Sequence, residues 1–431
     1  MKPRFIELSF LTIFGMLGCY SVEEPSRKTE LLSIEREIES ALPENASIVW
    51  KVSPHERPTA IESVTWSMRD AGSLLVPYYR DVGNDIPTGL PLAIYVTPEG
   101  RALPLHAEED EAVFSVSGHL PPPAVTPCGQ EAIIRICDAN GSTLWVTDVA
   151  GGTIRRSDAD VGDCKSSLLG AALGQERFVT IRQHAAAPLL SEWSCSGGEI
   201  REASEPIALP SMPALPKWLE EVEPSVFAWV RHQPGTGELD FGDWVYERSD
   251  ASKTVRVART ELPFPSDSDL TQSWERVRRD DSGALLVDGI SGLYRWQVET
   301  SGQVEQLGVA PAPSPEFSSW AHVGFGTAIS SRIDWNPNGV QLEMPLEYEV
   351  LHTTNDGYRS SRVPSTPCTT REICRRIGES YLRGVVETAS GPLGLYVMWT
   401  WQLHPVPYGQ STATGRDLAS LILAPLDRPL P

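Results

Sequence analysis

The chain has 431 residues, with 36 Lys and Arg against 57 Asp and Glu, which gives a formal net charge of -21 at pH 7. Nucleic-acid binding depends on basic side chains that neutralise phosphates, so this composition predicts no nucleic-acid partner. It also disfavours docking of the protein surface on anionic lipid. We interpret the acidic surface as one that keeps the protein soluble.

The first nineteen residues combine a basic start, an apolar run and a small residue before a cysteine. Lys2 and Arg4 precede the apolar run, and Gly18 stands directly before Cys19. The run is too short to span a bilayer as a folded helix. This pattern resembles the signal peptide of bacterial lipoproteins, and the resemblance implies cleavage after Gly18 and attachment of lipid, palmitate included, to Cys19.

The lipoprotein resemblance also predicts a location. In that family an Asp after the cysteine retains the protein in the inner membrane, and this chain has Tyr20 there. The resemblance therefore implies an outer-membrane lipoprotein, facing the periplasm or the cell surface, with the lipid as its only membrane attachment. The alternatives are an ordinary secretory signal and an uncleaved N-terminal anchor, with Cys19 incidental.

Six cysteines are left once Cys19 is set aside, an even number that suits disulfides in an oxidising compartment. The chain contains no Cys-x-x-Cys, which makes a metal site a weaker interpretation. Fifteen pairings are possible, and the one in which each disulfide closes only a hairpin or a local loop joins neighbours in sequence. It predicts the pairs Cys128–Cys137, Cys164–Cys195 and Cys368–Cys374.

Residues 19–46 are predicted to form a tether followed by a short amphipathic helix, after the signal peptide of residues 1–18. The polar residues after Cys19 carry no hydrophobic period. Leu31, Ile34, Ile38 and Leu42 then recur at helical spacing before Pro43. We expect this helix to cover one face of the main domain.

From Ser47 onward, short runs rich in Val, Ile, Tyr, Trp and Thr alternate with turn residues, which predicts an all-β chain. Helical exceptions are expected at residues 161–173 and 367–378, and a single turn at 216–222. The runs that predict strands are 48–52, 63–67, 93–96, 133–136, 144–147, 178–181, 226–230, 243–246, 285–287, 293–296 and 395–399.

Repetition of these runs favours one closed architecture over a row of sandwiches. Proline-rich breaks recur, and the content between them is similar: strand, turn, strand with Trp or Tyr, turn, strand. The spacing predicts a single β-propeller of residues 47–431 with seven blades, six or eight being the alternatives. Residues 47–52 and 418–423 are the strands expected to close the ring. The seven units are residues 47–108, 109–164, 165–206, 207–264, 265–312, 313–377 and 378–429.

One short stretch resembles the Asp box of sialidase-like propellers, Ser/Thr-x-Asp-x-Gly-x-x-Trp. Thr353 and Gly357 match that form, Asn355 replaces the Asp, and Ser360 replaces the aromatic residue. In that family the box is a turn that stabilises a hairpin and carries no catalysis. A plain β-turn explains the same residues equally well.

The sequence predicts no catalytic residue, no metal ligand and no cofactor. Motifs of metalloproteases, serine hydrolases and phosphate-binding loops are absent from the sequence. Residues 158–163 have partial oxygen-ligand spacing for calcium, and a solvated acidic loop is the preferred interpretation. For a sialidase-type site, the arginines at presumed strand ends are Arg155, Arg156, Arg278 and Arg279.

Thirteen tryptophans allow a sugar-stacking hypothesis, but those within apolar strands are expected to pack between blades. Trp145, Trp229, Trp296 and Trp399 belong to this set, whereas Trp218 and Trp335 are the ones expected to be exposed. The sequence therefore predicts a lipid-anchored propeller that binds a protein or a glycan on the bacterial envelope. The alternative is a propeller-type carbohydrate-active enzyme, a sialidase-like glycoside hydrolase.

Overall fold

The structure of the chain is a computed structural model. The structure describes the following residues: 36–52, 61–67, 72–80, 91–107, 115–116, 123–138, 141–172, 176–185, 187–195, 199–209, 215, 218–223, 226–234, 242–250, 258–262, 277–279, 285–289, 292–298, 304–309, 313–317, 321–324, 327–332, 347–354, 357–370, 374, 378–401 and 416–426.

These residues form one short helix, α1 (36–41), and thirty strands. In chain order the strands are β1 (Ser47–Val52), β2 (Ile61–Ser67), β3 (Ser73–Arg80), β4 (Ala93–Val96), β5 (Ala102–Ala107), β6 (Ser115–Val116), β7 (Ala124–Cys128), β8 (Glu131–Asp138), β9 (Gly141–Asp148), β10 (Thr153–Ser157), β11 (Ser167–Ala171), β12 (Arg177–Arg182), β13 (Leu189–Ser194), β14 (Arg201–Glu202), β15 (Ile207–Ala208), β16 (Trp218–Glu223), β17 (Val226–Pro234), β18 (Gly242–Asp250), β19 (Ala258–Leu262), β20 (Val277–Arg279), β21 (Leu285–Gly289), β22 (Gly292–Val298), β23 (Val304–Val309), β24 (Ala321–Gly324), β25 (Thr327–Arg332), β26 (Glu347–Thr354), β27 (Gly357–Pro364), β28 (Gly378–Val386), β29 (Leu393–Trp401) and β30 (Arg416–Pro425).

Within the described residues the strands pair as seven four-stranded units, the blades of a β-propeller. Blades 1 to 6 are β2–β5, β7–β10, β11–β14, β16–β19, β20–β23 and β24–β27, and blade 7 is β28–β30 completed by β1. The two-residue strands β6 and β15 pair with β3 and β13 beside these units. The prediction of an all-β propeller is confirmed, and six of the seven blades lie within the predicted units, whereas blade 7 also takes β1 from the first unit.

Contacts between strands join neighbouring blades from blade 6 through blades 7, 1, 2 and 3 to blade 4. The first strands of blades 6, 7 and 1, namely β24, β28 and β2, contact one another, and β7 and β16 contact β11 in the same way. Blades 1 and 2 also join through their fourth strands, because β5 and β10 pair in parallel over two residues. This short pairing covers strand edges that would otherwise be open to association with other chains.

The ring is closed by β1 and β30, as the sequence predicted. The two strands are antiparallel, with Ser47 opposite Leu423 and Val52 opposite Ala419. A second contact reinforces this closure, since the Ala389 amide of blade 7 donates a 2.7 Å hydrogen bond to the Pro98 carbonyl of blade 1. The N-terminal strand therefore completes the blade that the C-terminal residues build.

The hydrophobic core lies in the seams between blades. Successive side chains of a strand point to opposite faces, so each blade contributes to two seams. In β8, for example, Ile133 packs towards blade 3 while Ile134 and Ile136 pack towards blade 1. Because both faces are buried, the strands appear in the sequence as continuous apolar runs instead of alternating patterns.

Helix α1 packs on the seam between blades 6 and 7. Ile38 and Ala41 are buried against β26, β29 and the segment that carries Cys368 and Cys374. The Ala41 carbonyl accepts a 2.7 Å hydrogen bond from the Thr369 amide. The predicted covering helix is thus found at 36–41, ending before Pro43, whereas Leu31 and Ile34 lie outside the described residues.

Two of the predicted helical exceptions are wrong. Residues 161–173 contain a loop followed by β11, and residues 216–222 largely coincide with β16. In the first case Asp163 accepts hydrogen bonds from the amides of Lys165 and Ser166, as a residue that begins a helix does. After this single turn the chain nevertheless continues as strand β11, because pairing with β12 and β16 overrides the local preference for a helix. Of the third exception, 367–378, the structure describes 374 as helical and 367–370 as bends.

No helix in the described part of the chain has the length and hydropathy that a membrane crossing requires.

A glycine sets the approach of blades 3 and 4. A Cβ on Gly170 of β11 would lie 2.5 Å from both Cγ and the carbonyl oxygen of Leu219 in β16. We expect Gly170→Ala to lower stability by about 1–3 kcal/mol because the two first strands must separate. Where space is available, a glycine-to-alanine change instead stabilises a protein by about 0.4–1 kcal/mol. An increase in the urea unfolding midpoint of Gly170→Ala over the wild type would therefore contradict the close packing of β11 on β16.

Candidate functional site

The seam between blades 2 and 3 holds two of the three disulfides and the buried charge of Arg135. To locate them we call the end of a blade that carries its first-to-second and third-to-fourth turns the turn end. The opposite end, from which the chain passes to the next blade, is the linker end. Each end of this seam carries a disulfide and a charged group.

All six cysteines after Cys19 form disulfides, as predicted. The pairs are Cys128–Cys195, Cys137–Cys164 and Cys368–Cys374. The predicted pairing is therefore correct for Cys368–Cys374 and wrong for Cys128–Cys137 and Cys164–Cys195.

The geometry of a hairpin explains this error. Strand β7 pairs with β8 so that Cys128 lies opposite Glu131, six residues before Cys137. At about 3.3 Å per residue the two cysteines are roughly 20 Å apart along the strand. A disulfide needs Cα atoms within about 7 Å, so neighbours in sequence lie at opposite ends of the blade and cannot join. Each finds its partner across the seam instead.

The two disulfides hold the same seam at its two ends. Cys128 ends β7 and Cys195 follows β13, which places their bond at the turn end. Cys137 is near the end of β8 and Cys164 lies in the linker between β10 and β11, which places their bond at the linker end. Blades 2 and 3 are thus covalently joined on both sides of the ring.

At the linker end, Arg135 of β8 reaches across the seam and is only 4% exposed. One guanidinium nitrogen donates hydrogen bonds to the hydroxyl and the carbonyl of Ser167 at 2.8 and 3.1 Å. The Ser167 hydroxyl in turn donates to the Asp163 carbonyl at 2.8 Å. Burial lowers the pKa of Arg135 to about 10, with the Asp163 charge acting in the opposite direction.

The linker of residues 158–166 is an acidic loop stabilised by its own side chains. Asp160 accepts a hydrogen bond from the Gly162 amide, and Asp163 accepts two from Lys165 and Ser166. The bonds from Ser166 lower the pKa of the Asp163 carboxyl. Asp158, Asp160 and Asp163 are all exposed, which agrees with a solvated loop. Among the described residues no group of three His, Cys, Asp or Glu side chains is arranged to hold a metal ion.

At the turn end, Glu131 of β8 lies within electrostatic range of Asp148, Glu176 and Arg155. Burial raises the pKa of the Glu131 carboxyl, Asp148 and Glu176 raise it further, and Arg155 lowers it. One Glu131 carboxylate oxygen is buried without a hydrogen-bond partner among the described residues. A carboxyl with a raised pKa beside a second carboxylate is the arrangement that general-acid chemistry uses.

The four arginines of the sialidase hypothesis do not share one strand. Arg155 and Arg156 lie on β10, the fourth strand of blade 2, whereas Arg278 and Arg279 lie on β20, the first strand of blade 5. Arg155 is half-buried beside the Glu131 group and Arg156 is exposed. The side chains of Arg278 and Arg279 are not among those that the structure describes.

A contact between two ionisable side chains crosses the seam between blades 6 and 7. Nδ1 of His352, near the end of β26, lies 3.0 Å from a carboxylate oxygen of Glu387, which follows β28. The residues of the Asp-box resemblance adjoin this contact, since Thr353 pairs with Tyr358 and Thr354 with Gly357 in the hairpin of β26 and β27. The stretch therefore connects the third and fourth strands of a blade, as a hairpin turn does.

Two of the tryptophans expected in seams are confirmed there. Trp229 is fully buried, and Trp145 packs against the core between blades 1 and 2. The side chains of Trp296, Trp399, Trp218 and Trp335 are not described.

Sequence reasoning missed Arg135, Glu131 and His352. Arg135 offered a usable signal, because it interrupts the apolar run Ile133-Ile134-Arg135-Ile136, and a charge in a strand buried on both faces needs a partner. Cys19 lies outside the described residues, so lipid attachment is still a prediction.

No protein-family model and no curated protein matches the chain. Solved structures that match include virginiamycin B lyase from Staphylococcus aureus, 13% identical, covering 88% of this chain and 99% of that one with a TM-score of 0.38. An α-L-arabinofuranosidase from Clostridium thermocellum is 9% identical, covering 59% and 95% with a TM-score of 0.33. The similarity says nothing of activity, and the propeller assignment rests on the strand pairing.

We expect a disulfide that encloses a longer segment to stabilise the protein more, because the entropy it removes from the unfolded chain grows with the logarithm of the loop length. Replacing Cys128 and Cys195, which are 67 residues apart, by alanine should lower stability by about 4 kcal/mol. Replacing Cys368 and Cys374, which are 6 residues apart, should lower it by about 2 kcal/mol. Urea midpoints measure the difference, and peptide mapping without reductant that recovers Cys128 joined to Cys137 would contradict the seam-spanning pairs.

Proposed function

We propose that this chain is a lipid-anchored propeller on the bacterial envelope that acts as a binding or assembly module. One observation supports the proposal above the others: six of the seven cysteines are joined in disulfides, and the seventh is Cys19, at the lipid-attachment position of the signal-like sequence. Stable disulfides belong to oxidising compartments, where an unpaired thiol would be a liability.

The rigid seam suits a binding role. Arg135 and Asp163 use their hydrogen bonds within the fold, to Ser167 and to loop amides, and two disulfides hold the surrounding blades. A ring stiffened in this way presents loops at fixed positions, and loops carried by a rigid scaffold are the common place for binding residues. The partner we propose is a protein or a glycan, with the outer membrane, periplasmic or surface-facing, as the location.

We expect expression of the full chain in a bacterial host to yield a membrane-bound, acylated protein. Metabolic labelling with an alkyne fatty acid and mass spectrometry of the N-terminal peptide should place the label on Cys19. Cys19→Ser should lose the label and leave the membrane fraction, because only a thiol forms the thioether. Leu17→Ala is the matched control, and an unlabelled wild-type protein would overturn the proposal.

Glycoside hydrolysis is the second candidate, favoured by the Glu131 carboxyl with its raised pKa beside Asp148 and Arg155. If Glu131 were the general acid and Asp148 the second carboxylate, the protein would hydrolyse fluorogenic glycosides. Glu131→Gln would then remove about 99% or more of the hydrolysis rate, because general acid catalysis contributes about 10²–10⁴-fold. The binding module predicts retention on a glycan array or by a protein partner without hydrolysis. Glycoside hydrolysis that the wild type shows and Glu131→Gln loses would contradict the binding proposal and support a glycoside hydrolase.

A further inference from the structure

The two disulfides between blades 2 and 3 do not join the thiols that are closest in sequence. Cys128 and Cys137 are nine residues apart. Cys128 is nevertheless bonded to Cys195, which is 67 residues away. Cys137 is bonded to Cys164, which is 27 residues away, so the second bond lies inside the segment that the first one encloses. The native pairing of this seam therefore skips the pair that is nearest in sequence.

In the unfolded chain the nearest thiols meet most often. The free-energy cost of closing a loop grows with the logarithm of its length, so the frequency of contact falls roughly as the −3/2 power of that length. On this basis Cys137 meets Cys128 about five times as often as it meets Cys164. Cys128 meets Cys137 about twenty times as often as it meets Cys195. Oxidation of the open chain therefore favours Cys128–Cys137, which leaves Cys164 and Cys195 to join each other.

A bond between Cys128 and Cys137 is incompatible with blade 2. Strand β7 places Cys128 opposite Glu131 at one end of β8, and Cys137 lies opposite Ser142 at the other end. The strand keeps the two cysteines about 20 Å apart, whereas a disulfide needs Cα atoms within about 7 Å. This first-formed bond must therefore be broken before β7 and β8 can pair along their whole length.

The exchange of bonds has to take place before the seam closes. In the folded protein Cys128, Cys137 and Cys195 are at most 2% exposed, and Cys164 is half-buried. Thiol–disulfide exchange requires a thiolate to reach a sulfur atom of the bond that it breaks. The open chain is accessible to such an attack, whereas the packed seam protects the native bonds from it.

We propose that this chain is a substrate of a thiol–disulfide isomerase, a protein whose reactive thiolate exchanges the first-formed bonds of this seam for the native ones. The isomerase acts after oxidation and before blades 2 and 3 pack together. The Cys368–Cys374 bond needs no such partner, because it joins cysteines that are nearest neighbours in sequence.

The exchange is balanced without any further oxidant or reductant. The thiolate of the isomerase attacks the sulfur of Cys137, which forms a mixed disulfide and releases Cys128 as a thiolate. This thiolate attacks the sulfur of Cys195, which forms Cys128–Cys195 and releases the thiolate of Cys164. The Cys164 thiolate then attacks Cys137 in the mixed disulfide, which forms Cys137–Cys164 and returns the thiolate of the isomerase. Two disulfides enter the exchange and two leave it.

Oxidative refolding of the full chain tests the proposal. The reduced and unfolded chain carries Cys19→Ser, so that only the six paired cysteines are present, and it refolds in a glutathione buffer. Acid-quenched samples are mapped by mass spectrometry. Early samples should contain the Cys128–Cys137 bond in about fivefold excess over the Cys137–Cys164 bond. Protein disulfide isomerase should shorten the recovery of the native pairs, which takes minutes to hours without it, by about tenfold.

Variants that keep only one cysteine pair in this seam cannot form the wrong bonds. Cys128→Ala combined with Cys195→Ala leaves Cys137 and Cys164, which are native partners. Because no exchange is needed, the isomerase should change the refolding rate of this variant less than about twofold. Cys137→Ala combined with Cys164→Ala leaves the other native pair, and it serves the same purpose if the first variant does not fold.

Cys368→Ala combined with Cys374→Ala is the matched control, because it also removes one disulfide but keeps the four thiols of the seam. Its refolding should still be accelerated about tenfold by the isomerase. Early samples that contain the native bonds without Cys128–Cys137 would overturn the proposal. A six-cysteine chain whose refolding the isomerase leaves unchanged, or an equal acceleration in the variant without Cys128 and Cys195, would do the same.

Discussion

The pairing of β1 with β30 is the constraint on which the rest of the molecule depends. These strands lie about 370 residues apart in sequence, and their register joins Ser47 to Leu423. Without this pairing blade 7 would lack its fourth strand, and the seams on both sides of it would open to water. The contacts of α1 with blades 6 and 7 and of the 387–392 loop with blade 1 all gather around this closure.

The seams are not equivalent. Those between blades 1 and 2 and between blades 3 and 4 are built from apolar side chains such as Ile134 and Trp229. The seam between blades 2 and 3 instead buries the charge of Arg135, which desolvation disfavours. Two disulfides cross this seam and offset that penalty by restricting the separated state. Apolar packing thus stabilises the seams between blades 1 and 2 and between blades 3 and 4, whereas two disulfides stabilise the seam between blades 2 and 3.

Much of the fold could be predicted from the sequence because the propeller repeats a local pattern. Each predicted run of β-branched and aromatic residues became a strand, and residues 47–52 and 418–423 were identifiable as strands suited to close the ring. The helical exceptions failed where a local cap at Asp163 competed with strand pairing, which is decided by residues far away in sequence. Two-residue strands such as β14 carry too little pattern to be recognised.

The site was harder to predict, since its members meet only across seams. Nothing near Arg135 in the sequence indicates Ser167, 32 residues further on, as its partner. The cysteines show the same limit: Cys128 and Cys137 are neighbours in sequence, but a strand of about 20 Å separates them. Residue type predicted that the thiols would be oxidised, whereas only the three-dimensional arrangement decided which would meet.

The separation of the two closing strands in sequence gives their pairing a further meaning. Strand β1 is the first strand of the described residues and β30 is the last, and each of blades 1 to 6 forms from consecutive strands between them. A chain truncated before residue 416 would lack β30 and leave β1 without its partner. The unpaired edge of β1 would then favour aggregation or degradation. Blade 7 therefore couples the two ends of the propeller, because neither end can complete this blade without the other.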